Sequence, residues 1–225
     1  MVHVRTTFTR PKPALIRSLA AYSSATIHEA QGRRGALSHR IKPVDTSMSF
    51  CGPAVTVLSQ PGDNTMVQVA ISYAEPGDVI IVNAGQYEQA GSFGDVLGTA
   101  CAAKGLAAFV TDSGVRDTAD LRELGFPVFS GSICIEGTVK ETLGLVNHPV
   151  TVGGQAIEPG DILRGDADGV VVVKQGEAGG LADKCQERED QEAQLRARHR
   201  RQEGSVIELH GLAETLVEKN LTVEH

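Results

Sequence analysis

Tryptophan is absent from this chain, and only six Phe and three Tyr stand among its 225 residues. A core must therefore be built from Val, Leu, Ile and Ala, for which a 41% apolar content suffices. Cysteine is equally sparse. Cys51, Cys101, Cys134 and Cys185 lie far apart without a CxxC pair. That spacing argues against a zinc site and reads as four small, reduced hydrophobes. The chain has no Walker A loop, no GxGxxG fingerprint after a first strand, no GxSxG elbow and no HExxH helix. No apolar run approaches the ~20 residues that cross a membrane. The opening MVHVRTTFTRPKP lacks the apolar core of a secretory signal. The expectation is a cytoplasmic protein with no membrane contact.

Positive charge is also in deficit: 28 Asp and Glu against 21 Lys and Arg leave a net charge of −7. The one basic run, RARHRR at 196–201, falls near the end of a predicted helix, where cations suit the dipole. Nucleic-acid binding is therefore not expected. An anionic ligand would need local cations to overcome the overall field.

The periodicity predicts helices over 13–23, 24–30, 65–73, 91–104 and 117–124, with strands at 54–59, 79–82, 106–111 and 127–130. Alternating strand and helix is the signature of an α/β fold. From 150 to 173 short strands are parted by Gly-Gly, Glu158-Pro159-Gly160-Asp161 and Asp168-Gly169, a hairpin pattern. The turn EPGD occurs at 75–78 and again at 158–161. Residues 1–175 read as one α/β domain and 176–225 as a helical extension. Within it, 186–203 is too polar to bury a face in its own monomer, 205–218 reads as a last helix, and the final seven residues are expected to fray.

Two predicted helix starts carry the chemistry. Gly94-Asp95-Val96-Leu97 opens one, and its free amides suit a carboxylate. Arg116-Asp117 opens the next; Arg grips carboxylates and oxyanions, and Asp117 is either a simple helix-start carboxylate or a ligand for a hard metal ion. Asp120, one turn on, can orient a metal-bound water. A parallel sheet would bring both starts to one edge. Glu29 beside His28 reads as either a salt-bridge residue or a site carboxylate. Asn64 is a natural N-cap. Lys140 is a surface lysine, an anion binder or a Schiff-base nucleophile. Asp166-Ala167-Asp168-Gly169 resembles the start of a calcium loop but reads better as a tight hairpin turn.

GDVL at 94–97 and GVRDTAD at 114–120 resemble the Gly…Arg-Asp-x-x-Asp/Glu signature of the class II pyruvate aldolases built on the RraA-like fold. The pattern is most similar to the 4-hydroxy-4-methyl-2-oxoglutarate / 4-carboxy-4-hydroxy-2-oxoadipate aldolases. ATIHEAQGRRG at 25–35, PGDN at 61–64, GFPVFS at 125–130, GTVKETLGLVN at 137–147 and EPGDILRGDADGVVVV at 158–173 continue the similarity in order. Where the family often has GELL, this chain has GDVL, so Asp95 is one methylene short.

The resemblance implies an α/β fold of the swivelling β/β/α type with a C-terminal helical extension. It implies a homotrimer or homohexamer whose last helix reaches a neighbour and brings Glu192 to its site. It implies Mg²⁺ or Mn²⁺ held directly by Asp117 and through water by Asp95, Asp120 and Glu192. Arg116 would contact the pyruvyl oxygens and the 94–97 backbone the pyruvyl carboxylate, with Glu29, Asn64 and Lys140 in the substrate pocket. The implied reaction cleaves 4-hydroxy-2-oxo diacids to pyruvate plus oxaloacetate or a second pyruvate, with oxaloacetate decarboxylation as a side activity. Two rivals are an RraA-type regulator of ribonuclease E without catalysis and a phosphohistidine-type carrier using His148.

Overall fold

The computed structural model describes residues 2–223. Four strands, Phe50–Leu58, Val79–Asn83, Ala108–Thr111 and Val128–Ser130, lie side by side in chain order and run parallel. Val79, Ile80, Ile81 and Val82 are all fully buried. An unbroken apolar run of this kind is what a strand covered on both faces requires. Few aromatics are available, and they are spent at junctions. Phe93 stacks on Phe109 with ring centroids 3.9 Å apart, and Phe50 meets Phe129 edge-on.

Phe50–Leu58 begins four residues before the predicted strand. Its second half pairs in parallel with Val79–Asn83, while Phe50–Pro53 pairs antiparallel with Ile162–Asp166. Pro53 sits where the partner changes, so its missing N–H costs the ladder little there. The 150–173 segment forms the two expected hairpins, Val150–Val152 with Gln155–Ile157 and Ile162–Asp166 with Gly169–Val173. Gly153 and Gly154 supply the positive φ angles, 55° and 84°, that a two-residue hairpin turn demands. The Asp166–Gly169 pair closes the second hairpin, and Asp166 accepts hydrogen bonds from Ser24 N (2.6 Å) and Ser24 Oγ (2.7 Å). The chain adds short strands unforeseen in the sequence: His3–Val4 beside Leu145–Val146, Lys42–Pro43 beside Val128–Ser130, and Gly114–Val115 beside Ser132–Ile133.

Several predicted helix bounds need correction; the polar helix read over 186–203, for one, is Leu181–Arg200. The first helix is Pro13–Ala20, because Ser23 caps the next one, Ser24–Ala30, accepting from Thr26 N at 3.0 Å. The helix predicted from 91 is Asp95–Ala103, since Gly91 forms a bridge to Gly114 and Gly94 is extended. The last predicted helix is split into Val206–Leu209 and Ala213–Glu218, with Gly211 left-handed between them.

The chain divides into two compact units, one through Ala182 and one from Asp183 onward. The second consists of most of the helix Leu181–Arg200 and the two short helices. Along its long helix, Glu192 pairs with Arg188 (3.0 Å) and Arg196 (3.1 Å) one turn either side. Such pairs support a helix that has little apolar surface. The expected fraying at the C-terminus falls partly on 224–225, outside the described residues.

In the first unit, Asp78 is fully buried and receives a two-point contact from Arg10 (Nε 2.9 Å, Nη2 2.8 Å). Its hydrogen bond to Asp78 holds the Arg10 guanidinium pKa above its ordinary value. Arg10→Ala should destabilise the protein by roughly 2–3 kcal/mol, below the ~3–5 of a fully buried pair because Arg10 is partly in water. A lower urea midpoint at unchanged slope is the expected readout. An unmoved midpoint would remove this pair from the structural account.

Candidate active site

The stretch between Val79–Asn83 and Asp95–Ala103 is zipped to the stretch that follows Ala108–Thr111. Ser92 N donates to Gly114 O at 2.9 Å, and Arg116 N donates to Phe93 O at 2.9 Å. The short strand Gly114–Val115 also pairs with Ser132–Ile133. Behind this zipper the helix Asp95–Ala103 packs closely on Thr118–Leu124; a Cβ on Gly98 would come within 2.6 Å of Leu121 Cδ2. The two helix starts foreseen in the sequence are thus neighbours at one edge of the sheet.

Asp117 was expected to begin its helix, but that helix runs from Thr118 to Leu124, with Asp117 at the N-cap. An ordinary capping Asp is extended and accepts from a first-turn amide. Asp117 does neither. Its backbone is left-handed (φ 53°, ψ 40°) and its side chain makes no capping bond. Instead Oδ2 stands 3.3 Å from Arg116 Nε and 3.4 Å from the amide of Asp95. The carboxylate is turned from its own helix to the start of the neighbouring one. A left-handed non-glycine residue costs about 1 kcal/mol, and such strain gathers at functional sites. Two glycines make room for this arrangement. A Cβ on Gly94 would overlap the Asp117 carboxylate, and one on Gly91 would lie 2.9 Å from Arg116 Cβ.

A cavity of about 120 Å³ opens here. Of the residues singled out in the sequence, Asn64, Gly94, Asp95, Val96, Leu97, Arg116 and Lys140 line it. Asp117 adjoins it through its contacts with Arg116 and Asp95. The first-turn amides of Asp95, Val96 and Leu97 have no partners within their helix. With Arg116 and Lys140 they give the corner hydrogen-bond donors and cations, set against the carboxylates of Asp95 and Asp117. Asp120 is exposed one turn further along its helix. Glu29 is not among the cavity-lining residues; it lies on the helix Ser24–Ala30, in a two-point contact with Arg33 (3.1 and 3.2 Å). Glu192 belongs to the second unit. His148 hydrogen-bonds through Nε2 to His3 Nδ1 at 2.9 Å, and it is not among the lining residues.

Asn64 departs from the N-cap reading. Its side chain makes no capping bond; Nδ2 donates to Ser92 O (3.1 Å) and Oδ1 accepts from Gln68 Nε2 (3.1 Å). Because Ser92 O can only accept, the amide nitrogen of Asn64 must face it, and the second hydrogen of that nitrogen remains for a ligand. Capping passes to Asp63, whose Oδ1 accepts from Thr65 N at 2.8 Å. Ser92, Thr138 and Asp63 were not singled out as site residues in the sequence, because small polar residues and turn aspartates carry no distinctive spacing.

Among the described residues no three or more His, Cys, Asp and Glu gather into a group able to hold a metal ion. The donor set fits one metal habit. Mg²⁺ is commonly held by one or two carboxylates, with water and substrate filling its other positions. The Asp117 carboxylate, held only by contacts of 3.3 and 3.4 Å and next to the cavity, suits that role.

The geometry defines an α/β body with a small polar cavity between two helix starts. A family model described as RraA-like, Aldolase/RraA, matches residues 24–172. A protein of Halalkalibacterium halodurans, provisionally named a 4-hydroxy-4-methyl-2-oxoglutarate aldolase, is 39% identical over 163 residues, which are 72% of this chain and 77% of that protein. The crystal structure of Streptomyces coelicolor RraAS2, titled an unusual member of the RNase ES inhibitor RraA family, aligns with TM-score 0.74 and 31% identity over 84% of this chain and 99% of that one. An uncharacterized Pseudomonas syringae protein aligns with TM-score 0.78 over 90% of this chain and 94% of that one; at 24% identity it shows the fold alone. This chain belongs to the RraA-like family.

The strain at Asp117 gives a test free of any assay. Asp117→Gly should raise the melting temperature, by the equivalent of about 1 kcal/mol, because glycine adopts the left-handed conformation without penalty. A fall in melting temperature would show that the carboxylate's contacts outweigh the backbone strain.

Proposed function

We propose that this protein is a metal-dependent pyruvate aldolase that cleaves 4-hydroxy-2-oxo diacids such as 4-carboxy-4-hydroxy-2-oxoadipate and 4-hydroxy-4-methyl-2-oxoglutarate. The observation that carries the reading is the Asp117 carboxylate, strained out of its capping role and set beside Arg116 and the amide of Asp95. The aldolase name of the Halalkalibacterium relative supports it.

In this reading Asp117 would hold Mg²⁺ or Mn²⁺ directly, with Asp95 and Asp120 reaching it through water. When bound, such a dication supplies charge compensation for a 2-oxo acid. The amides of Asp95, Val96 and Leu97 hold the substrate's 1-carboxylate. Arg116 donates to the 2-oxo oxygen. The C4 hydroxyl gives up its proton to a solvent water. C4 becomes the carbonyl carbon of the departing oxo acid as the C3–C4 bond opens, and the electron pair of that bond moves toward C3 and the 2-oxo oxygen. Arg116, whose side chain lines the cavity, would stabilise the resulting charge. Asn64 and Lys140 engage the distal half of the substrate, and a proton returned to C3 gives pyruvate. Oxaloacetate passes through the same enolate on losing CO₂, so decarboxylation is proposed as a side activity. A homotrimer or homohexamer in the cytoplasm is part of the proposal.

The likeness to RraAS2 favours one other reading, a protein-binding regulator of a ribonuclease. Coupled pyruvate detection separates the two. Turnover should need Mg²⁺ or Mn²⁺ and stop with EDTA. Arg116→Ala and Asp117→Ala should each lower the rate by on the order of 10²–10³ while remaining folded. No pyruvate from either diacid or from oxaloacetate, together with capture of a ribonuclease E-type enzyme, would replace the aldolase by the regulator.

A further inference from the structure

The tripeptide Pro-Gly-Asp occurs three times, at 61–63, 76–78 and 159–161. All three copies form the same turn. The middle glycine has positive φ (72°, 88° and 89°), and the Asp amide donates back to the residue before the proline, Gln60 O, Glu75 O and Glu158 O, at 3.0–3.1 Å. All three aspartates are at least 96% buried. Their carboxylates then part ways. Asp78 and Asp161 bond the amide that begins their own turn, Glu75 N and Glu158 N, and each takes a cation, Arg10 and Lys174. These two staple their own turn and hold a cation from another segment, and Asp161 Oδ1 also accepts from Gln175 N at 3.1 Å.

Asp63 is used otherwise. Its Oδ1 accepts from Thr65 N, and its Oδ2 accepts from Glu141 N at 2.8 Å and Thr142 N at 2.7 Å. Among the described residues it takes no ion pair. Around it the backbone closes a bridge to Val139: Val139 N donates to Gly62 O (3.0 Å), and Asn64 N donates to Val139 O (3.3 Å). One buried carboxylate therefore joins two distant segments at the point where each enters the cavity. Asn64 follows it directly, and Lys140 precedes the two amides it holds.

We propose that Asp63 is a positioning residue that fixes the 137–142 segment, and with it Lys140, against Asn64 across the cavity; for activity this rests on the aldolase reading above. Burial opposes ionisation of Asp63, but the amides of Thr65, Glu141 and Thr142 outweigh it and bring its pKa to about 2. A folded-state pKa below the unfolded value makes the clamp's contribution complete above about pH 4, and it is lost as pH falls towards 2.

The test compares Asp63→Asn with Asp161→Asn, which alters the same kind of turn where the carboxylate's partners, Lys174 and Gln175, do not line the cavity. In Asp63→Asn an NH₂ group replaces one acceptor and the charge is lost; whichever way the amide turns, either the Thr65 N contact or the Glu141 and Thr142 contacts are broken, and those kept go to a neutral oxygen. Amide exchange across 137–142 should quicken at least tenfold in Asp63→Asn and stay at the wild-type rate in Asp161→Asn. KM for the diacid should rise at least tenfold in the first variant and less than twofold in the second, with kcat falling less than KM rises. If Asp63→Asn does not fold, Glu141→Pro, which deletes one donor from the exposed segment, should reproduce both effects. Unchanged exchange over 137–142 overturns the clamp whether or not the protein is an aldolase. Quickened exchange with KM unmoved in an active enzyme overturns its role at the site. Absence of pyruvate in the wild type refutes only the aldolase reading, and the exchange result still decides the clamp.

Discussion

Everything at the cavity depends on one backbone registration. Residues 91–93 lie against 114–116, and the amide of Arg116 is held by the carbonyl of Phe93. Those bonds set the guanidinium and carboxylate of one helix start, Arg116 and Asp117, beside the amides and glycine of the other. Side-chain contacts within the group are long, 3.3 and 3.4 Å. The arrangement is therefore imposed from behind by backbone and by the Phe93–Phe109 stack, rather than assembled by mutual attraction of its charges. That is the logic of a preorganised site: the rigid frame carries the strain, and the polar groups stay available to a ligand.

The glycines around Arg116 and Asp117 follow from the same constraint. Gly91 and Gly94 are ordinary in backbone angle, and neither requires the left-handed region. They are glycine because neighbouring side chains occupy the volume where a Cβ would stand. The left-handed conformation usually left to glycine is taken here by Asp117, one of six such non-glycine residues among the described residues. Backbone strain falls on the residue whose carboxylate turns to the neighbouring helix start.

Much of this was legible beforehand. The βαβ alternation, the hairpin region and the exact spans of two helices, Ser24–Ala30 and Thr65–Tyr73, follow from periodicity and turn residues. Seven of the named site residues line one cavity because motifs at two helix starts reflect topology as well as chemistry. What was illegible has physical causes. The strand Phe50–Leu58 hides its first half behind Pro53, which local rules read as a break. Helix Asp95–Ala103 begins late because a cross-chain bridge claims Gly91, and no local signal announces a partner 23 residues away. Asp63 looked like any turn aspartate, since its two distant partners are backbone amides, which have no identity in a sequence. Glu29 drew notice through its motif, yet within one chain its carboxylate is engaged with Arg33.

The strand Phe50–Leu58 has a final implication for how the chain comes together. Its later half finds Val79–Asn83 a few tens of residues downstream, whereas its opening half waits for Ile162–Asp166. At about 5–20 residues per second of synthesis, that wait is on the order of ten seconds. During it a nascent chain carries an unsatisfied ribbon edge, Phe50 included, outside the ribosome. Closing loops of this length is also entropically slow. Assembly of this protein is therefore paced by its late hairpins, and the early βα units form a platform that remains incomplete until they arrive.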